Sequence, residues 1–242
     1  MEYCAELTPA ARRIGSVNTI LRRPDGTLLG DNTDYDGFLY LLKSAGAQVE
    51  GRKALVLGSG GASLTVRAVL SELGAREIIT ISRSGENNYQ NLDRHADAQI
   101  IVNATPVGMY PNNGVSPVDL DQFPQCEGVF DLIYNPSKTQ LLLQAQRRGL
   151  IWGNGLGMLV AQAKAASERF QGKKLPDELV ADITAKLERE TKNILLIGMP
   201  GCGKTTVGKA LAQRLGRPLA DVDEKIIEEA GCSIPHIFAS EG

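Results

Sequence analysis

The chain has 242 residues and a formal net charge of −2, with 43% hydrophobic and 22% charged residues. This composition is typical of a globular protein with one or two domains. The chain is nearly neutral and has no long run of basic residues, whereas nucleic-acid binding requires a basic patch. No apolar run reaches the ~18 residues of a membrane span, and the first residues do not resemble a signal peptide. We therefore predict a cytoplasmic protein that binds neither nucleic acid nor membrane.

The cysteines are few and widely spaced. Their gaps suit neither a zinc site nor a small disulfide scaffold. We predict reduced thiols at all four positions, which are Cys4, Cys126, Cys202 and Cys232.

Short elements are predicted at the start of the chain. A helix over residues 7–15 ends at Gly15. A hairpin follows over residues 16–33, with Asp25-Gly26 as its turn. The next helix runs over residues 35–45 and stops at Gly46.

From Arg52 the pattern changes to alternating strands and helices, which indicates an α/β fold with a doubly wound parallel sheet. Helices are predicted after the first strand, at 137–148, at 156–170, and from Pro176 to Glu190. The predicted strands are 53–57, 77–81, 99–103, 128–134 and 150–152. A second strand–loop–helix system starts at Asn193, so we place a domain boundary near Thr191.

A glycine-rich loop lies between the first strand and its helix. Glycine permits a tight turn and close approach of the backbone to a pyrophosphate, and the helix N-terminus offers free N–H groups to the anion. The third position is Ser63 rather than glycine, but it is still small. A purely structural turn is the alternative. The predicted dinucleotide-binding residues of this loop are Gly58, Ser59, Gly60, Gly61 and Ala62.

The end of the second strand indicates which dinucleotide is preferred. NAD-binding units usually place an acid there for the ribose 2′-hydroxyl. This chain has Ser82, Arg83 and Ser84 instead. A guanidinium suits a 2′-phosphate, so the sequence favours NADP. The alternative is that Arg83 is a solvated surface residue.

Further polar and glycine residues follow the later strands, at the carboxyl edge where ligands of such sheets bind. Taken alone, Asn18 would be a turn or strand-edge residue, Asp34 a helix N-cap and Gln162 an exposed helix residue. The candidate cofactor-binding residues at this edge are Asn103, Thr105, Gly155 and Met158.

Five motifs together resemble shikimate dehydrogenase from its mid-region to its end, over about residues 1–190. They are Ile14-Gly-Ser-Val-Asn-Thr19, Gly30-Asp-Asn-Thr-Asp34, Gly58-Ser-Gly-Gly-Ala62, Asn103-Ala-Thr-Pro106 and Asn154-Gly-Leu-Gly-Met-Leu-Val-Ala-Gln162. The resemblance implies that Asn18 and Gln162 hold substrate hydroxyls and that Asp34 pairs with a catalytic lysine. It also implies hydride transfer between NADPH and 3-dehydroshikimate.

The start of the sequence departs from this pattern. In the family, the catalytic lysine and the serines that hold the substrate carboxylate precede the helix that begins here near Tyr3. Neither segment is present, and Lys43 does not match the lysine motif. We therefore expect residues 1–242 to have impaired turnover.

A second phosphate loop fits the full P-loop pattern between a strand predicted at Ile194–Ile197 and a helix. Lys204 would reach the β and γ phosphates of ATP, and Thr205 would ligate Mg²⁺. Asp221 and Asp223 follow another predicted strand; helix-capping acids are the alternative. The ATP-binding candidates are Gly198, Gly201, Cys202, Gly203, Lys204, Thr205 and Thr206.

With these motifs, residues 192–242 resemble the start of shikimate kinase. The resemblance places Asp221 by the metal and Asp223 on shikimate hydroxyls. The kinase's substrate-binding arginines and lid are absent from residues 192–242, so we expect this partial α/β unit to expose apolar surface at Ile194–Ile197.

The two resemblances concern consecutive reactions, since the product of the first is the substrate of the second. One alternative is a related dehydrogenase that acts on quinate or prefers NAD. Another is a non-catalytic nucleotide-binding remnant. The predicted domains are a substrate-domain remnant over 1–33, an NADP-binding domain over 34–154, returning helices over 155–191 and a kinase segment over 192–242.

Overall fold

A computed structural model describes residues 1–241, and the chain divides into two compact units, Met1–Glu190 and Thr191–Gly242. The strands are β1 (Glu6–Leu7), β2 (Thr19–Arg22), β3 (Leu28–Asp31), β4 (Lys53–Leu57), β5 (Glu77–Ile81), β6 (Ile100–Asn103), β7 (Gly128–Asp131) and β8 (Ile151–Gly153). The helices are α1 (Pro9–Ile14), α2 (Asp34–Ser44), α3 (Gly61–Glu72), α4 (Gln140–Arg147), α5 (Gly155–Gln171), α6 (Glu178–Thr191), α7 (Lys204–Leu215), α8 (Val222–Ala230) and α9 (Ile234–Glu241).

The first unit is built on a five-stranded sheet in the order β5-β4-β6-β7-β8, and every pair in it is parallel. This confirms the predicted parallel sheet. β5 lies on one side of β4 and β6 on the other, so the direction of winding reverses at β4. In open α/β sheets ligands bind at such a switch point, beside the carboxyl ends of the strands.

Helices cover both faces of this sheet, which explains why its strands are short apolar runs. Successive side chains of a strand point to opposite faces. Leu55 and Leu57 of β4 belong to the core cluster that includes Leu141 of α4. Ala54 and Val56 belong to the opposite cluster, with Phe38 of α2 among others.

A three-stranded sheet, ordered β1-β3-β2, precedes the large sheet. The predicted hairpin is confirmed as the antiparallel pair β2–β3. Gly26 has the positive φ of +85° that its turn requires. The helix predicted over residues 7–15 is shorter than expected, because Glu6–Leu7 instead pairs in parallel with β3.

The two last helices of the first unit return to the earlier part of the chain. α5 passes close to α2, since an ideal Cβ on Gly37 would lie 2.7 Å from the carbonyl oxygen of Met158. Only glycine permits this approach. α6 packs through buried Val180 against Val160 and Ala161 of α5.

Two predictions for the second unit are wrong. The expected strand at Ile194–Ile197 is not formed, and neither is the strand before Asp221. A strand requires a hydrogen-bonded neighbour, and the described residues of this unit contain no other strand to supply one. The expected apolar exposure is confirmed, because Leu195 is 77% and Ile197 83% exposed.

No helix among residues 1–241 is both long and apolar enough to cross a membrane.

Candidate active site

The glycine loop after β4 lies at the switch point of the sheet. Gly58 has φ +106°, and an ideal Cβ on it would lie 2.8 Å from Thr105 Cγ2 and 3.0 Å from the carbonyl oxygen of Ala104. Because glycine has no side chain, the loops after β4 and β6 can approach each other at this position. Gly58 is therefore required for the close packing of these two loops.

The rest of this loop forms an exposed helix N-terminus. Gly60 is the N-cap of α3 and provides no side-chain cap, and Ser59, Gly61 and Ala62 are exposed. The first N–H groups of such a helix lack intrahelical acceptors and can bind an anion. Ser63 is only 1% exposed, which is consistent with the need for a small residue at this position.

Ser82, Arg83 and Ser84 directly follow β5. The register pairs Leu57 with Ile81, so Gly58 and Ser82 leave neighbouring strands side by side. Arg83 and Ser84 are exposed. The structure thus places a guanidinium at the same sheet edge as the glycine loop.

Asn103 is fully buried and shapes the loop after β6. Its Nδ2 donates to Asp131 Oδ1 at 3.0 Å, and its Oδ1 accepts from the Thr105 N–H at 3.0 Å. The Thr139 hydroxyl donates to Asp131 at 2.6 Å. Burial raises the pKa of Asp131, and these hydrogen bonds oppose that rise. Sequence reasoning missed Asp131 and Thr139; an acid ending an apolar strand was the available signal.

Asn18 and Asp34 meet where the small sheet joins α2. Asn18 Oδ1 accepts from the Thr33 N–H at 2.9 Å and from the Thr19 hydroxyl at 2.9 Å. Thr33 directly precedes Asp34, so these bonds hold Asn18 next to that residue. Burial raises the pKa of Asp34, and the hydrogen bond from Asn18 only partly opposes it. Thr33, not Asp34, is the N-cap of α2.

Gln162 reaches the same region from α5. The Cβ of Gln162 lies 3.1 Å from the position that a Cβ on Gly37 would take. Gly37 itself is one helical turn from Asp34 along α2. α5 starts at Gly155, where an ideal Cβ would lie 2.0 Å from the carbonyl oxygen of Leu132. The fold therefore brings residues from three distant motifs to one region of the first unit.

An ion-pair cluster beneath these residues was not predicted. Arg169 of α5 donates to Asp31 at 2.7 Å and to Asp36 at 2.9 Å. Asp31 is fully buried, and its carbonyl oxygen accepts from the Asn18 N–H at 3.0 Å. Arg169 thus ties α5 to the segment that carries Asn18. A charged residue late in an amphipathic helix gave no signal of this partner.

In the second unit the P-loop is closed on itself. Lys204 Nζ donates to the carbonyl oxygens of Gly198 at 2.8 Å and Met199 at 2.9 Å. Gly201 and Gly203 have φ of +74° and +87°, a conformation that favours glycine. α7 starts directly after this loop, and Cys202 and Thr206 are exposed.

The candidate magnesium ligands are neighbours. The Thr205 hydroxyl lies 3.4 Å from Asp221 Oδ2, and hydroxyl and carboxylate oxygens are ligands that Mg²⁺ prefers. Asp221 also caps α8 by accepting from the Asp223 N–H at 3.1 Å, as the capping alternative expected. Within residues 1–241, no three His, Cys, Asp or Glu side chains group where they could hold a metal ion.

The parallel sheet with a glycine loop at its switch point defines the first unit as a Rossmann-like α/β protein. The chain is 37% identical over 204 residues to a shikimate dehydrogenase (NADP(+)) of Symbiobacterium thermophilum, covering 74% of this chain and 69% of that protein. The chain belongs to the shikimate dehydrogenase family, and it is therefore an oxidoreductase by family.

Solved structures agree with this assignment. A chorismate mutase/shikimate 5-dehydrogenase fusion protein from Clostridium acetobutylicum is 35% identical, with a TM-score of 0.75 over 80% of this chain and 74% of that one. Shikimate 5-dehydrogenase from Thermus thermophilus, in complex with NADP(H) and shikimate, is 34% identical, with a TM-score of 0.66 over 77% of this chain and 73% of that one. Residues 200–242 match the family model for shikimate kinase.

Proposed function

We propose that the first unit binds NADP(H) and reduces 3-dehydroshikimate to shikimate. The observation that carries this proposal is that two distant residues come to Asp34: Asn18 accepts from the Thr33 N–H beside it, and Gln162 packs against Gly37, one helical turn from it. The relative from Symbiobacterium thermophilum is named for NADP(+), and the Thermus protein was solved with NADP(H) and shikimate. These findings support the same ligands for this chain.

The residues divide the chemistry between them. NADPH supplies the hydride when bound. Asn18 and Gln162 hold the substrate hydroxyls by hydrogen bonds. Asp34 acts at the reacting oxygen, where a proton must move as hydride moves at carbon. The raised pKa of Asp34, caused by burial, favours a proton-holding role.

The cofactor would lie along the carboxyl edge of the sheet. The exposed N-terminus of α3 suits the pyrophosphate, and Gly58 lets the loops after β4 and β6 meet next to it. Asn103 and Thr105 shape the neighbouring loop, while Gly155 and Met158 lie in the first turn of α5. We propose residues 34–154 as the NADP-binding domain, with residues 1–33 and 155–191 belonging to the substrate side and residues 192–242 forming the kinase segment.

We expect this site to prefer NADP over NAD, and we expect Arg83→Ala to remove the preference. A charge-assisted guanidinium–phosphate contact is worth about 1.5–3 kcal/mol, or roughly ten- to a hundredfold in affinity. Calorimetry with both oxidised cofactors measures it. Arg147→Ala, at an exposed arginine on α4, is the matched control.

Equal affinity of the wild type for both cofactors would contradict this assignment. So would an Arg83→Ala protein that keeps the wild-type preference. A parallel panel of shikimate and quinate separates the proposed substrate from its quinate alternative.

We further propose that residues 192–242 are a shikimate kinase segment whose P-loop binds ATP with Mg²⁺. The shape of the loop and the neighbouring Thr205 and Asp221 support it. Asp223 would contact shikimate. We expect Lys204→Ala to weaken binding of Mg–ATP about tenfold, because the ammonium contacts phosphate oxygens.

The measurement is titration with a fluorescent ATP analogue in the presence of Mg²⁺. Lys209→Ala, at an exposed lysine on the same helix, is the control. Equal affinities of the wild type and Lys204→Ala would show that this loop does not bind the nucleotide as proposed.

A further inference from the structure

The segment after β5 is held by its own asparagine side chains. We call residues 82–91 the asparagine loop; it contains Arg83 and starts the connection from β5 to β6. That connection contains only a short 3-10 helix at Leu92–His95. No α-helix therefore packs this segment onto the sheet, and hydrogen bonds must fix its conformation.

The asparagine loop is closed tightly at its base. The Ser82 N–H donates to the carbonyl oxygen of Asn87 at 3.1 Å. An ideal Cβ on Gly85 would lie 2.5 Å from Ser82 Oγ, so only glycine permits this closure without a shift. Arg83 and Ser84 are thereby confined to the exposed tip.

Two asparagine side chains bridge the tip to the second half of the loop. Asn88 Nδ2 donates to the carbonyl oxygen of Gly85 at 3.1 Å. Asn91 Nδ2 donates to the carbonyl oxygen of Glu86 at 2.8 Å. Asn91 Oδ1 also accepts from the Asn88 N–H at 2.9 Å. The two carbonyl groups that follow Arg83-Ser84 are therefore both fixed.

The second half of the loop is itself anchored to the core. His95 Nε2 lies within hydrogen-bond distance of Asn87 Oδ1, at 2.9 Å. Leu92, next to Asn91, is 7% exposed and belongs to a core cluster. The path of contacts therefore runs from the core through Asn91 and Asn88 to the backbone beside Arg83.

We propose that Asn88 and Asn91 are positioning residues that set the preference for NADP by holding Arg83 in place. The inference rests on the proposed binding of the 2′-phosphate by Arg83. A residue that is mobile before binding must be ordered when the ligand binds, and this order costs free energy. The hydrogen bonds of Asn88 and Asn91 order the loop before the cofactor binds, so less free energy is lost on binding. NAD lacks the 2′-phosphate, so its binding depends much less on Arg83.

The test measures the affinities of NADP and NAD for Asn88→Ala, Asn91→Ala and Arg83→Ala in the full 242-residue chain. We expect both asparagine variants to bind NADP about five- to tenfold more weakly. Their affinity for NAD should stay near the wild-type value, which also reports that the fold is intact. Gln90→Ala is the matched control, because its side chain makes none of the hydrogen bonds described for this loop.

An unchanged ratio of NADP to NAD affinity in both asparagine variants, with a reduced ratio in Arg83→Ala, overturns the positioning role alone. An unchanged ratio in Arg83→Ala overturns the proposed cofactor site together with the inference. If an asparagine variant loses both cofactors equally, its effect is on folding, and the positioning role is likewise rejected.

Discussion

We expect the polypeptide of residues 1–242 to reduce 3-dehydroshikimate about 10²–10⁴-fold more slowly than the Symbiobacterium thermophilum relative, because a general acid–base partner typically contributes that much. Among residues 1–241, no lysine or arginine forms an ion pair with Asp34. The family resemblance implies a lysine at this carboxylate. We therefore expect Asp34 in this polypeptide to hold and release the proton without a cationic partner among the described residues.

The measurement is the oxidation of NADPH followed by absorbance with 3-dehydroshikimate as substrate. Binding of NADP to the same preparation is the control, because the glycine loop and Arg83 are present and binding should persist. Rates comparable to those of the relative would contradict the expected need for a lysine beside Asp34.

The same polypeptide should release ADP slowly with shikimate. Phosphoryl transfer depends on positioning and on cations that neutralise the transferred group, and the described part of the second unit presents Lys204 in contact with loop carbonyls. ADP release at a rate typical of kinases would contradict this expectation.

We expect Arg169→Met to destabilise the first unit by about 2–3 kcal/mol at pH 7. Removing one partner of a buried ion pair leaves an uncompensated charge and typically costs about 3–5 kcal/mol, and the partial exposure of Arg169 reduces that figure. Asp31 is fully buried, so its carboxylate keeps only the Thr8 hydroxyl and the Asn32 N–H as donors. Because Arg169 ties α5 to the Asn18 segment, substrate affinity should fall as well.

The effect should depend on pH in a defined direction. Burial alone would raise the pKa of Asp31, but hydrogen bonds from Thr8 and Arg169 outweigh it and hold the pKa below its usual range. A group whose pKa is lowered by folding stabilises the fold above its unfolded pKa, which is about 3.9 for aspartate. That stabilisation is lost as the pH falls through the folded pKa. The difference between wild type and Arg169→Met should therefore shrink in acid.

Urea unfolding at pH 7 and at a pH below about 3.9, the unfolded pKa of aspartate, measures both effects. The single tryptophan, Trp152, lies on β8 and reports on the first unit. Lys186→Met, at an exposed pair with Glu190, is the control and should change the free energy of unfolding by less than about 0.5 kcal/mol. An Arg169→Met protein as stable as the control would contradict a stabilising role for the cluster.

Much of the first unit could be predicted because its signals are local. Short apolar runs, glycine stops and the Asp25-Gly26 turn identify the strands, helices and hairpin. The limits of β4 and β5 agree with the sequence to the residue. Where a prediction was wrong, a distant partner was responsible: Glu6–Leu7 is a strand because β3 lies beside it. Ile194–Ile197 does not form a strand, because the described residues of the second unit contain no other strand to pair with it.

The class of the fold, the two glycine-rich loops and the family could be predicted from the sequence, because glycine spacing and apolar periodicity are properties of nearby residues. The surroundings of the candidate site, in contrast, depend on how the folded chain packs. Folding buries Asn103 against Asp131, packs Gln162 against Gly37, and pairs Arg169 with Asp31 across 138 residues of chain. These contacts join residues far apart in the sequence, and no local pattern specifies which buried charge or amide will meet which partner.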